Sequence, residues 1–227
     1  MALDQLFPPL GLTLTLGSLS LRLLRDADLD AYVELITADV FVDPDADHAF
    51  AWWREVRDVG PLSSLQHQWR ARASVSPQAW ELVLGVFDSG RLVGMQDLRA
   101  VDFGTRHTVD SGSFVRLDQA GRGVGTLMRQ AAVAFAFDHL GAVRAETSAI
   151  EGNAASLRVS EKVGYRPNGT RLLAEGGRAL LAHDMVVTPA SFVRADEPLR
   201  VDGVTPALLA LLGAGGSGAG QEGDQEA

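Results

Sequence analysis

Residues 118–126 read Asp118-Gln-Ala-Gly-Arg-Gly-Val-Gly-Thr126, and their surroundings decide the fold. Upstream, Val109 to Leu117 reads as a strand. Downstream, Val124, Leu127, Met128, Ala131, Ala134 and Phe135 recur at helical spacing, and Gly141 supplies a C-terminal stop. The glycines at 121, 123 and 125 leave backbone N–H groups unobstructed where that helix begins. Such a place attracts phosphate through free donors and the helix dipole together. Arg122 adds a charge and Thr126 a hydroxyl for the same anion. Without a ligand, the same residues would be a plain Gly-rich strand-to-helix turn, because this spacing alone is a loose motif.

Outward from this turn, Ala142 to Ile150 reads as a strand. Asn153 then N-caps a helix that ends at Gly164, and strands follow, among them Ala179 to Val187. Before it, Trp80 to Phe87 and Leu92 to Val101 flank Asp88-Ser-Gly90 as a hairpin. Leucines at 10, 12, 14 and 16 and at 19, 21 and 23 predict two strands around Gly17-Ser18. Asp26 and Asp28 open a helix carrying Leu29, Tyr32, Val33, Leu35 and Ile36. Asp39 to Gly60 reads as acidic and irregular, and residues 62–76 as a helix stopped before Pro77. The β-α-β-α-β succession from residue 109 implies an α/β fold, a mixed and mostly antiparallel sheet flanked by helices.

Composition narrows the function. The 227 residues contain no Cys, which excludes disulfides, thiolate metal sites and thiol catalysis. A net charge of −9 argues against a nucleic-acid grip over the whole surface. The amino terminus lacks the pattern of a signal peptide, and the longest apolar run, Leu127 to Phe137, is cut by Arg129 and Gln130. A soluble cytoplasmic protein, with no membrane partner, is the expectation. The histidines at 48, 67, 107, 139 and 183 show no metal-ligand spacing, so no metal is expected. Residues 213–227, GAGGSGAGQEGDQEA, have the composition of a disordered tail.

The anion at the glycine loop is not read as a nucleotide. A Walker A loop needs a Lys that is absent here, and dinucleotide fingerprints fail at Thr126 or Met128. Ser113-Phe-Val115, the loop Ala120-Gly-Arg-Gly-Val-Gly125, Asn153-Ala-Ala-Ser156 and Lys162-Val-Gly-Tyr165 together resemble the GCN5-related N-acetyltransferases. The resemblance is to the branch that includes the ribosomal-protein N-terminal acetyltransferases. It spans roughly residues 19 to 187 and is strongest from 109 to 170. The family loop usually begins with Gln or Arg where this chain has Ala120, with Gln119 one place early.

The resemblance implies an acyl-CoA N-acyltransferase fold over 19–187, an N-terminal extension (1–18), a C-terminal extension (188–212) and the tail. It implies acetyl-CoA as acyl donor and an amine as acceptor, with a homodimer left open. Backbone groups of Phe114, Val115 and Arg116 would pair with the pantetheine arm, and one N–H would polarise the thioester carbonyl. The backbone of Ala120, Gly121, Arg122, Gly123, Val124, Gly125 and Thr126 would hold the pyrophosphate. Asn153 would bind the pantetheine from the other side or simply cap its helix. Ser160 matches the position of the family's acid Tyr. Ser156, also expected against the cofactor, lies one turn earlier on the same face, and either serine would give a proton to the departing thiolate.

For the base, Glu81, Asp97, Asp110, Glu146 and Glu151 all lie on or beside strands, with Asp97 and Glu151 preferred. Phe50, Trp52 and Trp53, with Trp69 and Trp80, would pack helices onto the sheet or wall an acceptor pocket. The expected function is acetyl transfer from acetyl-CoA to a primary amine. The alternative is the same fold kept as an acyl-CoA-binding module without turnover.

Overall fold

A computed structural model of the chain describes residues 2–38, 40, 51–175 and 177–215. In chain order the helices are α1 (Leu3–Leu6), α2 (Leu29–Thr37), α3 (Ala51–Asp58), α4 (Leu62–Ala73), α5 (Phe103–Arg106), α6 (Val124–Asp138), α7 (Ala154–Val163) and α8 (Pro206–Leu211). The strands are β1 (Thr13–Leu16), β2 (Leu19–Leu23), β3 (Ala79–Asp88), β4 (Arg91–Val101), β5 (Thr108–Val115), β6 (Arg144–Ile150), β7 (Arg166–Glu175), β8 (Arg178–Val187) and β9 (Arg200–Asp202). They form one sheet in the order β7-β8-β6-β5-β4-β3-β2-β1-β9. Every neighbouring pair is antiparallel except β5 and β6.

Local chemistry explains most of these elements. Leu14, Leu16, Leu19, Leu21 and Leu23 alternate into the core, and Leu16 pairs with Leu19 across Gly17-Ser18. The strand starts at Thr13 rather than Leu10, because Pro8 and Pro9 open a 3₁₀ turn over Pro8–Gly11. Ser89 and Gly90 both take positive φ, the two-residue turn that suits the twist of a hairpin. Asn153 caps α7 by accepting the N–H of Ser156 at 3.1 Å.

Two apolar layers sandwich the sheet. On one face α6 lies against Leu82, Leu84, Leu98 and Val109, with α7 beside it. On the other, Tyr32, Leu35 and Ile36 of α2, Val56 of α3 and Ala71 of α4 cover Val83, Phe87 and Met95. The stretch expected to be irregular up to Gly60 therefore ends in a helix, whose Trp53 and Val56 lie buried three residues apart.

The terminal segments belong to the same body. β1 sits inside the sheet, and β9 pairs with it, Leu14 opposite Val201. Leu208 and Leu212 are fully buried, and Trp80 Nε1 donates to the Leu212 carbonyl at 2.9 Å. The expected tail boundary moves too, because Ala214 N–H closes α8 on the Leu209 carbonyl at 2.8 Å. The rest of that stretch, 216–227, lies outside the described residues.

Candidate active site

The sheet forks between β5 and β6. These strands pair only over Thr108–Asp110 and Arg144–Glu146. Two side-chain ties follow, from Thr147 Oγ1 to the Ser111 carbonyl at 2.9 Å and from Ser111 Oγ to the Glu146 carbonyl at 3.4 Å, and then they diverge. Arg116 N–H bonds to the Val93 carbonyl on β4, and Gly112 N–H also points that way. Because main-chain groups alternate along a strand, the N–H and C=O of Ser113 and Val115 point into the fork. Of the three residues expected to offer backbone groups, Val115 does so. Phe114 and Arg116 face β4, and Ser113, not named for this role from the sequence, is the second open position.

The glycine loop lies beyond the end of β5. Gly121 and Gly123 have φ of 76° and 86°, and a Cβ at either would meet no atom within 4 Å. Side chains rarely adopt such angles, so glycine leaves this backbone both free and bare. The N–H groups of Gly121, Gly123, Val124 and Gly125 donate to no carbonyl among the described residues. They form an open donor cluster at the N-terminus of a 15-residue helix. Ala120 and Arg122 are exposed beside it, and Thr126 is half-buried. Gly125 lies close to α7, its virtual Cβ 3.5 Å from Val159.

On the opposite face of the sheet a cavity of about 430 Å³ opens between β3–β5 and helices α2–α4. Its wall includes Tyr32, Trp52, His67, Glu81, Asp97 and Phe114. Asp97 forms its polar floor. Its Oδ1 accepts Gly112 N–H at 2.5 Å, and its side chain is 16 % exposed. Burial pushes the Asp97 carboxyl up to about 6 against the pull of Arg99. Arg99 lies 3.4 Å from Asp97 and also donates to Asp110. His67 Nε2 is 3.5 Å from Glu81, and the bond to Glu81 raises the His67 pKa. Sequence spacing gave no sign of His67; only the docking of α4 over β3 brings it here.

The other expected residues separate. Glu151 is exposed past the end of β6, away from this cavity. Asp110 and Glu146 line a neighbouring groove with Arg106. Trp52 reaches the cavity, its ring centroid 4.9 Å from that of Phe114 and 6.1 Å from that of Trp53. Trp80 points to the opposite face against Phe103, and Phe50 lies outside the described residues. Ser160 is fully buried; its Oγ donates to the Ser156 carbonyl at 3.0 Å and accepts from Arg129 Nη1 at 2.7 Å. Its single proton is therefore engaged within α7. Ser156 is half-buried at the start of that helix.

No helix among the described residues is long and apolar enough to cross a membrane. No three His, Asp or Glu side chains among them gather as metal ligands.

Comparisons with known proteins agree with this geometry. A provisionally assigned ribosomal-protein-serine acetyltransferase of Vibrio cholerae superposes with a TM-score of 0.60 at 19 % identity, covering 78 % of this chain and 97 % of that one. RimJ of Mycobacterium smegmatis, solved with CoA-disulfide, gives 0.58 at 20 % identity, covering 81 % and 90 %. A GCN5-related N-acetyltransferase of Brucella melitensis gives 0.59 at 21 %, covering 79 % of each. These likenesses establish the fold. The sequence model of the acetyltransferase (GNAT) domain matches residues 18–166, about two thirds of the chain. With that match over the fork, the glycine loop and the cavity, the chain belongs to the GNAT acetyltransferase family.

Proposed function

We propose that this protein transfers the acetyl group of acetyl-CoA to a primary amine by direct attack in a ternary complex. The fork carries this reading. It exposes two strand positions between a ready-made anion site at one end and an acid-floored cavity on the other face of the sheet. Donor and acceptor then approach from opposite faces and meet at Gly112–Phe114.

The residues divide the work. Free N–H groups from Gly121 to Gly125 would hold the pyrophosphate, helped by the α6 dipole. The pantetheine arm would lie along β5 as an added strand, on the open groups of Val115 and Ser113. The Ser113 N–H, nearest the fork, would polarise the thioester carbonyl and stabilise the oxyanion. Asp97 would take the proton from the attacking amine, directly or through one water. With a pKa of about 6 it is ionised at neutral pH yet far more basic than an ordinary aspartate. Asn153 and Ser156 would bound the arm from α7. The acceptor is a peptide amino terminus, a lysine or a small amine, and the protein works as a soluble cytoplasmic enzyme. The CoA-disulfide bound by the mycobacterial neighbour supports a CoA-type donor.

Titration calorimetry with acetyl-CoA, followed by thiol release with a panel of amines, tests this. Binding together with amine-dependent release is expected. Binding without release from any amine would make the chain an acyl-CoA-binding module. Absence of binding would refute the donor assignment.

A further inference from the structure

Arg129 is the anomaly of α6. The helix is apolar on nearly every side, yet this guanidinium is buried within it, 3 % exposed. Nη1 donates to Ser160 Oγ and Nη2 to Ser113 Oγ, both at 2.7 Å, while buried Nε has no partner. No carboxylate among the described residues lies within ion-pair distance of it. Desolvation lowers its pKa from the usual arginine value. Two neutral hydroxyls satisfy some of its donors, and Asp97 acts on its charge only at longer range, so the guanidinium has no ion-pair partner. Burying an unpaired cation costs several kcal/mol, so such a group is unexpected unless an anion comes to it.

Its position says which anion. Arg129 follows Gly125 by one helical turn, on the face of α6 that carries the glycine loop. Its side chain spans from Ser113, the first open position of β5, to Ser160 on α7. A donor running from the loop along β5 ends its arm beside this group. The cavity holding the acceptor and Asp97 lies on the other side of the strand.

Resting on the donor assignment above, we propose that Arg129 is a catalytic residue, the fixed counter-charge for the departing CoA thiolate. The amine lone pair attacks the thioester carbon, a C–N bond forms, and the surplus ammonium proton passes to Asp97. The C–S bond breaks with its electron pair on sulfur. The thiolate rests against the guanidinium until it takes a proton from water. Ser160 and Ser113 are positioning residues. Ser160 spends its proton on the Ser156 carbonyl, so its lone pairs are left to hold Nη1.

The test follows the thiol of the product. CoA and desulfo-CoA, which lacks the sulfur, are titrated against the full-length protein across pH, and the bound thiolate is followed by its ultraviolet absorbance. In the unmodified protein the bound thiol should ionise at lower pH than free CoA. CoA should gain on desulfo-CoA by about tenfold for each pH unit of that shift. Arg129→Gln should abolish the shift and lower kcat by about 10²-fold, comparable to losing one oxyanion donor. Acetyl-CoA affinity should stay unchanged, and Arg129→Lys should restore part of the shift. A bound thiol that titrates like free CoA in the unmodified protein overturns the proposal, and this needs no variant to fold. So does an unaltered shift in Arg129→Gln. Failure of the protein to bind even desulfo-CoA would instead refute the donor assignment beneath it.

Discussion

Replacing Asp97 by Asn should stabilise the protein while disabling it. The substitution keeps shape and retains an oxygen to accept Gly112 N–H, but removes a charge that burial opposes. An acid whose folded pKa is raised destabilises the fold as pH climbs from its unfolded value through its folded one, and the penalty persists above. For Asp97 that window runs from 3.8 to about 6. The shift corresponds to roughly 3 kcal/mol at neutral pH and above. The shift is already net of the attraction of Arg99 at 3.4 Å, and in the variant Arg99 keeps its bond to Asp110. A gain of about 1–3 kcal/mol at pH 8 is therefore expected, vanishing below pH ~4. Urea unfolding at both pH values reads it. Thiol release at saturating acetyl-CoA should fall about 10²–10⁴-fold. In the unmodified enzyme kcat/KM should drop on the acid side near pH 6, as Asp97 takes up its proton. A variant less stable than the parent at pH 8, or one retaining full turnover, would refute the reasoning.

Gly112→Ala would place a Cβ 2.7 Å from Asp97 Oδ1, so the carboxylate must shift. Turnover should fall with acetyl-CoA affinity retained, and equal losses in both would show that the fork itself had deformed. Gly123→Val, at φ 86° and clear of other atoms, should weaken acetyl-CoA binding in calorimetry at a stability cost of about 1–2 kcal/mol. Unchanged affinity in that variant would remove the pyrophosphate from this loop. Leu212→Ala should cost about 2–5 kcal/mol in chemical denaturation, because the side chain is fully buried. A loss below 1 kcal/mol would mean the C-terminal segment is only loosely docked.

What the sequence conveys depends on how local its cause is. Helix α7 runs from its Asn153 cap to Val163 as expected, because cap, apolar spacing and closing Gly164 lie within one short segment. The glycine loop was legible for the same reason. By contrast, β9 is three residues long, with Arg200 and Asp202 exposed, and exists because β1 offers it an edge. Trp80 parted from Trp52 because strand parity against a distant helix sets the side it faces. The same parity moved the open backbone positions from Phe114 and Arg116 to Ser113. Arg129 was visible as an interruption of an apolar run, but its lack of a counter-ion is a property of the packed state. His67 reaches Glu81 because α4 docks over β3, beyond the range of any spacing rule.

The bond from Trp80 to Leu212 joins residues 132 positions apart, and β9 closes an edge formed by β1. During synthesis, the indole N–H of Trp80 waits in the forming core for a carbonyl that the ribosome has not yet made. Strand β1 likewise keeps a bare edge until residues 200–202 have been made. Pairings this distant in sequence are slow to close, and unpaired edges invite association meanwhile. The hazardous interval in the life of this protein is therefore the one just before residue 212 emerges, and yield at high expression should depend on how quickly the chain passes through it.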